Sequence, residues 1–320
     1  MMTVELPGGV IGTTALGFGC SSLSGGTSRS HSIRLVHAAY AAGIRHFDVA
    51  RSYGMGTAEG VLGDALKQYR QKVTIATKVG IDRPKHAEAI MLVRSLAAPL
   101  RKMVPALTRK VGASTYTGMK VHTKFEPQFV EASVTDSLRR LRTDYVDLLL
   151  LHEITPEKVT DELLACLAAM KQKGWVRALG TGTSYESTVA IRAAHPEFFD
   201  VWQYSWSVLD SDQQPPVAFT ITHRAIQRAL APLRGWLQED AARTRRLSDA
   251  TGVDLAGNDN LGNVLIGAAM ANNQGGITLV SSRNKSRVEA NARLLADETF
   301  VQAGQRLIGA LAAEKDLVRL

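Results

Sequence analysis

Eight short apolar runs recur along the chain and constrain its fold more than any other feature. They occupy 15–20, 46–50, 73–79, 146–152, 177–183, 200–204, 218–223 and 276–282. Their apolar residues do not alternate strictly with polar ones, which is typical of parallel strands covered on both faces. Helix-length segments separate the runs, such as 32–43, which ends at Gly43, and 126–141. This alternation predicts a parallel α/β fold of the (β/α)8 TIM barrel type.

The length of 320 residues agrees with that fold, because α/β barrels often exceed about 200 residues in one domain. The sequence contains no internal repeat, low-complexity tract or interdomain linker, so we expect a single barrel domain over residues 1–320. The opening segment VELPGGVIGT predicts a small hairpin, turning at Pro-Gly-Gly, that plugs one end of the barrel. The segments 81–125 and 224–259 are too long for ordinary connections and are predicted to be functional loops.

The segment 81–125, after the third strand, holds nearly all of the excess positive charge. The chain has a net charge of +8, and this segment alone has nine Lys or Arg residues against two acidic ones. No nucleic-acid recognition motif accompanies the charge, so we interpret it as a rim around a site for a phosphate-bearing ligand. Apolar residues at helical spacing predict a lid of short helices over that site. A helix on a membrane surface or against a partner, and a solvated loop, are the alternatives.

The cysteine content and the termini indicate the compartment. Cys20 and Cys166 have neither a disulfide framework nor a zinc-binding spacing, which favours a reducing cytoplasm. The N-terminus lacks a basic segment followed by an apolar one, and no apolar run is long enough to span a bilayer. We therefore expect a cytoplasmic protein without a membrane span, and the sequence carries no signature of a particular oligomeric state.

Polar side chains stand at the ends of three successive predicted strands. Asp48 lies in the second run, Tyr53 follows it, Lys78 is near the end of the third run and His152 ends the fourth. Because the carboxyl ends of barrel strands meet on one face, we expect these four side chains to converge. Taken singly, each has an ordinary alternative: a helix cap, a packing residue, a solvated lysine or a core histidine. The joint pattern favours chemistry.

The four side chains together are suited to general acid catalysis by Tyr53. A tyrosine titrates near pH ~10 in water, and a nearby ammonium stabilises the phenolate and lowers that pKa. A buried Lys78 ammonium needs a counter-ion, which Asp48 supplies. Tyr53 is then predicted to donate a proton to a carbonyl oxygen while hydride reaches the carbon, and a neutral His152 orients the substrate.

The same motifs resemble a known family. The stretch GIRHFDVARSYG with Glu59 and Gly63, then ATK, DLLLLH and the late SSRNKSRVEAN, is similar to the aldo-keto reductase superfamily in order along essentially the whole chain. The resemblance implies a (β/α)8 barrel and nicotinamide-dependent carbonyl reduction or alcohol oxidation. It also implies a catalytic tetrad made of Asp48, Tyr53, Lys78 and His152.

The resemblance further implies a cofactor site. Gln203 matches the glutamine that holds the nicotinamide carboxamide, and Ser282, Arg287 and Asn291 match the adenosine-binding segment. In that segment the serine and arginine meet the 2′-phosphate and the asparagine meets the adenine. The planar donor pair of an arginine suits a phosphate, so the implied cofactor is NADP(H), with NAD(H) as the alternative.

Three sites depart from the family pattern. Gly182 and Thr183 stand where the family usually has a Ser-Asn pair that binds the carboxamide. Ser281 replaces a basic residue that often precedes the adenosine-site serine, and His223 with Arg224 replaces an aromatic that stacks on the nicotinamide. The first departure bears on the carboxamide contact and the third on stacking against the nicotinamide, whereas Ser281 weakens the preference for the phosphorylated cofactor without removing it.

The sequence therefore predicts an oxidoreductase that moves hydride between a nicotinamide and a small-molecule aldehyde, ketone or aldose. Trp206 is predicted to line the substrate pocket, with packing as the alternative. A nicotinamide-binding regulatory subunit with little turnover is the second hypothesis, and the intact tetrad argues against it. A metal-dependent hydrolase is disfavoured, because His152 has no second ligand at metal-binding spacing.

Overall fold

The computed structural model describes residues 1–8, 12–23, 28–83, 122–210, 213, 218–257 and 259–314. Within these ranges, eight parallel strands close into a barrel and two short strands pair antiparallel near the N-terminus. The antiparallel pair is β1 Thr3–Val4 and β2 Thr13–Thr14. The barrel strands are β3 Leu16–Gly19, β4 His46–Asp48, β5 Thr74–Val79, β6 Val146–His152, β7 Val176–Gly182, β8 Val201–Ser205, β9 Phe219–His223 and β10 Ile277–Val280. Each apolar run overlaps one barrel strand, so the predicted barrel is confirmed.

Helices follow most strands and form the outer layer. Their bounds are α1 Arg29–Ala41, α2 Ala58–Leu66, α3 Pro127–Leu141, α4 Asp161–Gln172, α5 Tyr185–Ala194, α6 Ala225–Gln238, α7 Ala241–Thr251, α8 Asn260–Asn272, α9 Lys285–Arg293 and α10 Thr299–Ala312. Short 3-10 segments occur at Cys20–Ser22, Tyr53–Gly56, Arg70–Lys72 and Pro156–Lys158. Helix α1 begins where the Ser28 side chain caps the His31 amide, and the chain leaves it at Gly43, whose φ of 100° favours glycine. No helix in the described ranges combines the length and apolar character needed to cross a bilayer.

The barrel interior is packed at its amino-terminal end by the N-terminal hairpin. Val4 and Leu6 join the apolar cluster formed inside the barrel by Ala76, Leu148, Leu150, Ala178, Val201, Ile221, Ile277 and Leu279. The Thr13 hydroxyl bonds that of Thr74, the first residue of β5, at 2.9 Å. The predicted plug is therefore confirmed, and the opposite end of the barrel is the end that remains for a site.

One of the two predicted functional loops is wrong. Residues 224–259 form mainly α6 and α7 instead of an open loop. Helix α6 buries one face, including Ala229, Leu233 and Trp236, in the same apolar cluster as α8 and α10, and Asp240 caps α7 by accepting from two amides. The predicted lid in 81–125 falls largely outside the described residues. The two ends of that segment meet in an isolated bridge between Ile81 and Thr123.

Candidate active site

A buried ion pair lies at the carboxyl end of the barrel. Asp48 is the last residue of β4, and its Oδ2 accepts hydrogen bonds from Lys78 Nζ on β5 and from Gln203 Nε2 on β8, the latter at 2.8 Å. All three side chains are buried, with residue exposures of 3 %, 3 % and 1 %. Burial alone would raise the pKa of Asp48, but the Lys78 ammonium and the Gln203 amide outweigh it and hold that pKa below its usual value. The carboxylate is therefore ionised at neutral pH.

Tyr53 and His152 lie above this pair, toward the barrel opening. Lys78 Nζ is 5.5 Å from the centroid of the Tyr53 ring, and the Tyr53 and His152 ring centroids are 5.9 Å apart with an interplanar angle of 83°. Tyr53 opens a 3-10 segment in which Gly54 and Met55 have φ values of 58° and 57°, and this sharp turn brings the phenol back over the strand ends. The structure therefore brings together the four residues that the sequence singles out at the strand ends.

Neither Tyr53 Oη nor a ring nitrogen of His152 has a hydrogen-bond partner among the described residues. Both side chains are partly exposed, whereas the pair beneath them is buried. A hydroxyl donor and an imidazole, side by side and open to a ligand, can bind one oxygen atom together.

The pKa of Tyr53 differs from the sequence-based expectation. Burial raises the pKa of Tyr53 well above its usual value, and the Asp48 carboxylate raises it further. The sequence predicted a lowered pKa from the Lys78 ammonium, and that direction is wrong. The ammonium is paired with Asp48, and at the phenol burial and the Asp48 carboxylate together determine the direction of the pKa shift. Tyr53 is therefore protonated at neutral pH.

A second histidine, His223, which stands where the family has a stacking aromatic, lies at the same end of the barrel. His223 ends β9 as His152 ends β6, so both histidines lie at the carboxyl end of the barrel. Burial is the main cause that lowers the pKa of each histidine to about 3, so both rings are neutral at physiological pH. Each is followed by a charged residue with a left-handed backbone, Glu153 at φ 54° and Arg224 at φ 68°. Such conformations often concentrate at functional sites.

The predicted cofactor residues fall into two groups. Gln203 stands inside the barrel mouth, bonded to Asp48, and Gly182 leaves room beside it, since a Cβ at that glycine would lie 3.1 Å from Gln203 Oε1. Ser282, Arg287 and Asn291 lie just after β10, where Ser282 Oγ accepts the Asn284 amide at 3.1 Å. Arg287 is exposed and has no ion-pair partner in the described part of the chain. A glycine cradle at the mouth and a free guanidinium at the rim fit a dinucleotide with a phosphate.

Two predicted details of the pocket change. Thr183, at one of the family's carboxamide positions, donates its hydroxyl to the Ile154 carbonyl at 2.8 Å and is buried. Trp206, predicted as a pocket wall, is 1 % exposed and packs with α6 and α8 residues, so it is a core residue. The groups of three or more His, Cys, Asp and Glu that a metal ion requires do not occur in the described ranges.

Comparisons with known proteins extend this geometry. The uncharacterized oxidoreductase YqkF of Bacillus subtilis is 25% identical over 305 residues, covering 88% of this chain and 89% of YqkF. The holo form of the aldo-keto reductase AKR11C1 from Bacillus halodurans superposes with a TM-score of 0.70 at 22% identity and full coverage of both chains. An aldo-keto reductase from Klebsiella pneumoniae in complex with NADPH superposes with a TM-score of 0.62 at 20% identity, covering 95% of this chain and 94% of that one.

The two structural likenesses establish a shared fold, and the match to a family model goes further. The model described as the Aldo/keto reductase family matches residues 15–303, which include the strand-end tetrad and the segment after β10. The resemblance expected from the sequence is therefore confirmed, and the chain belongs to the aldo/keto reductase family of oxidoreductases.

Proposed function

We propose that this protein transfers hydride between a nicotinamide cofactor and the carbonyl of an aldehyde, ketone or aldose, with Tyr53 as the general acid. The observation that carries the proposal is the open pair of Tyr53 hydroxyl and His152 ring directly above the buried Lys78–Asp48 ion pair. A protonated donor and a neutral imidazole there can receive a carbonyl oxygen from two sides.

The residues divide the work as follows. Tyr53 is protonated on Oη at neutral pH, and it passes this proton to the carbonyl oxygen as negative charge develops there. Lys78 compensates the phenolate that results, and Asp48 keeps that ammonium charged within a buried site. His152 stays neutral, since its pKa is about 3, and orients the same oxygen by a hydrogen bond.

The cofactor would be held along the mouth and rim of the barrel. Gln203 would bind the nicotinamide carboxamide beside Gly182, Ser282 and Arg287 would bind a 2′-phosphate, and Asn291 would meet the adenine. When bound, the nicotinamide supplies a hydride to the carbonyl carbon or accepts one from the alcohol. The free Arg287 guanidinium and the NADPH complex of the Klebsiella relative favour NADP(H), with NAD(H) as the alternative.

A fluorescence titration with NADPH and NADH tests the cofactor assignment. We expect tighter binding of NADPH, and we expect Arg287→Met to weaken it roughly tenfold or more while leaving NADH unchanged, because only NADPH presents the extra phosphate. Arg293→Met is the matched control, since Arg293 is an exposed arginine at the other end of α9. Equal affinities in the wild type would reassign the protein to NAD(H), and no binding of either would contradict the enzyme proposal.

Turnover of Tyr53→Phe tests the chemistry. The variant removes one oxygen atom, and we expect turnover of an aldehyde panel to fall by at least about two orders of magnitude, the usual scale for losing a general acid. Cofactor binding should be retained, since Tyr53 is not among the residues assigned to the cofactor. A fully active variant would contradict the role of Tyr53. Cofactor binding by the wild type without turnover of any carbonyl would instead support the regulatory-subunit hypothesis.

A further inference from the structure

A cluster of buried charges lies outside the barrel, next to the two segments that carry Tyr53 and Lys78. We call it the arginine–carboxylate cluster. It contains Arg51, Glu59, Asp82, Arg83 and Asp136. Side-chain exposures are 9 % for Arg51, 1 % for Glu59 and 12 % for Arg83, against 27 % for Asp136 and 48 % for Asp82, so three of the five ions are largely removed from water. Desolvating charges is costly, so a cluster of this kind needs a reason beyond net stability.

Asp136 on α3 is the centre of the cluster. Its Oδ2 lies 3.1 Å from a terminal nitrogen of Arg51 and 3.1 Å from one of Arg83, and its Oδ1 pairs with Arg139 at 2.7 Å. The Nε atoms of Arg51 and Arg83 are buried and have no hydrogen-bond partner in the described ranges. Arg51 also pairs with Asp82 at 3.5 Å and Arg83 with Glu59 at 2.9 Å, but Asp136 pairs with both guanidinium groups, so its charge offsets the repulsion between them.

One arm of the cluster leads to Tyr53. Arg51 lies between Asp48 and Tyr53 in sequence, within a turn that the Tyr53 amide closes by donating to the Ala50 carbonyl at 3.0 Å. The Arg51 guanidinium donates to the Ser133 carbonyl of α3 at 2.9 Å as well as to Asp136. The turn that presents the phenol is thus fixed to helix α3 from outside the barrel.

The other arm leads to Lys78. Thr77, its neighbour on β5, donates its hydroxyl to Glu59 Oε1 at 2.8 Å. Glu59 Oε2 binds Arg83 at 2.9 Å, and Arg83 returns to Asp136. Thr77, next to Lys78, and Arg51, in the turn before Tyr53, are therefore linked by a chain of side chains that passes through Asp136.

We propose that Asp136 is a positioning residue, which acts through Arg51 and Arg83 to hold Tyr53 and Lys78 in their relative places. The proposal rests on the proposed function for its kinetic consequence, and on geometry alone for its structural one. Misplacing a reacting group by about 1 Å can cost about a hundredfold in rate, so loss of this anchor should lower kcat more than it changes binding.

Asp136→Asn, with Glu131→Gln as the matched control, tests the proposal. Glu131 lies on the same helix and pairs with Lys173 at 2.8 Å, but both of these side chains are about half exposed and lie outside the cluster. We expect Asp136→Asn to lower kcat roughly tenfold to a hundredfold. The dissociation constant of NADPH and the KM of the carbonyl should stay within about threefold, and Glu131→Gln should match the wild type. Asp136→Glu, which restores a carboxylate, should recover part of kcat.

Crystal structures of the wild type and of Asp136→Asn give a readout that does not depend on turnover. We expect the Tyr53 hydroxyl to shift relative to Lys78 in the variant. An unchanged kcat with an unchanged Tyr53 position would overturn the proposal, as would an equal loss of kcat in Glu131→Gln. If Asp136→Asn does not fold, Arg51→Lys keeps the charge but loses the paired contacts to Ser133 and Asp136, and the same outcomes apply to it. A wild type that turns over no carbonyl contradicts the proposed function. The role of Asp136 is then still tested by whether the Tyr53 hydroxyl shifts between the two crystal structures.

Discussion

The two ends of the barrel both bury a carboxylate with basic partners, yet they differ in what those partners leave free. At the amino-terminal end, Asp147 accepts the Ile75 amide at 2.8 Å, Arg70 at 2.8 Å and Arg177 at 3.1 Å. The two arginines also stack on the Tyr145 ring, at 4.0 and 3.9 Å from its centroid. Asp147, Arg70 and Arg177 each have protein partners.

At the carboxyl end, the Asp48 carboxylate accepts hydrogen bonds from two side chains, Lys78 and Gln203. In the described ranges it accepts none from a backbone amide, whereas Asp147 accepts one. The donors above it, Tyr53 and His152, are the ones left without a hydrogen-bond partner in the described ranges. A cluster whose polar groups are paired within the protein stabilises the fold, whereas donors without a protein partner can bind a ligand. In barrels of this type the active site lies at the carboxyl end of the strands. The difference predicts that substitutions at one end change turnover and that substitutions at the other change stability.

Lys78→Met should give the largest effect, and it falls on turnover. Without the ammonium, the Asp48 charge acts on Tyr53 uncompensated and raises its pKa further, so the phenol becomes a poorer acid. We expect kcat to fall roughly a thousandfold, within the range for general acid catalysis. Steady-state kinetics and circular dichroism together check this. A variant that keeps its fold and more than a tenth of its turnover would contradict the division between the two ends.

Asp147→Asn is the corresponding change at the amino-terminal end, and its effect should fall on stability. It leaves Arg70, which is buried, and Arg177 without their carboxylate, and breaking a buried ion pair costs about 3 kcal/mol or more. Urea unfolding should report this loss in the free energy of unfolding. Turnover per folded molecule should match the wild type, and a large loss of kcat would mean that the amino-terminal cluster also serves the site.

How far the sequence predicts this molecule depends on whether a feature is local. The apolar runs predict the barrel, because strands covered on both faces must be apolar, and the strand-end positions of Asp48, Lys78 and His152 follow from chain order alone. The segment 224–259 does not show its helices as clearly, because each helix buries only one face and its apolar residues are scattered among polar ones.

Features that depend on side chains from distant segments could not be predicted. The direction of the Tyr53 pKa shift depends on burial and on which partner neutralises Lys78, and neither is visible in a motif. The arginine–carboxylate cluster joins residues more than fifty positions apart, such as Arg51 and Asp136. The signal that would have pointed to it is the pair of arginines beside the segments that carry Tyr53 and Lys78, since a guanidinium is too polar to be buried without a carboxylate.

His46, at the start of strand β4, should contribute to how stability depends on pH. His46 is buried beneath the site, with Nδ1 2.9 Å from the Thr74 hydroxyl, and burial lowers its pKa to about 4. Between pH ~6.5 and pH ~4 the unfolded chain binds a proton that the folded chain does not. The stabilisation from neutral His46 is therefore present above pH ~6.5 and is lost as the pH falls to ~4, by about 3 kcal/mol at most.

Urea unfolding of the wild type and of His46→Asn at pH 7 and pH 4.5 measures this contribution. His152 and His223 act in the same direction, since their pKa values are also lowered, but they are present in both proteins. The wild type should therefore lose more stability than the variant between the two pH values. Equal losses would show that His46 is not neutral in the folded protein.

The smallest effects should come from two glycines at opposite ends of strand β7. Gly182 ends the strand, and an added Cβ would lie 3.1 Å from Gln203 Oε1, so Gly182→Ala must displace the Gln203 amide by a few tenths of an ångström. We expect the affinity for NADPH or kcat to fall about two- to fivefold, with little change in the free energy of unfolding. Gly174 precedes the strand in open space but has a φ of 73°, so Gly174→Ala should cost about 1 kcal/mol of stability and leave kcat unchanged. If both variants changed turnover, or both changed only the free energy of unfolding, the proposed division between the two ends of this strand would be contradicted.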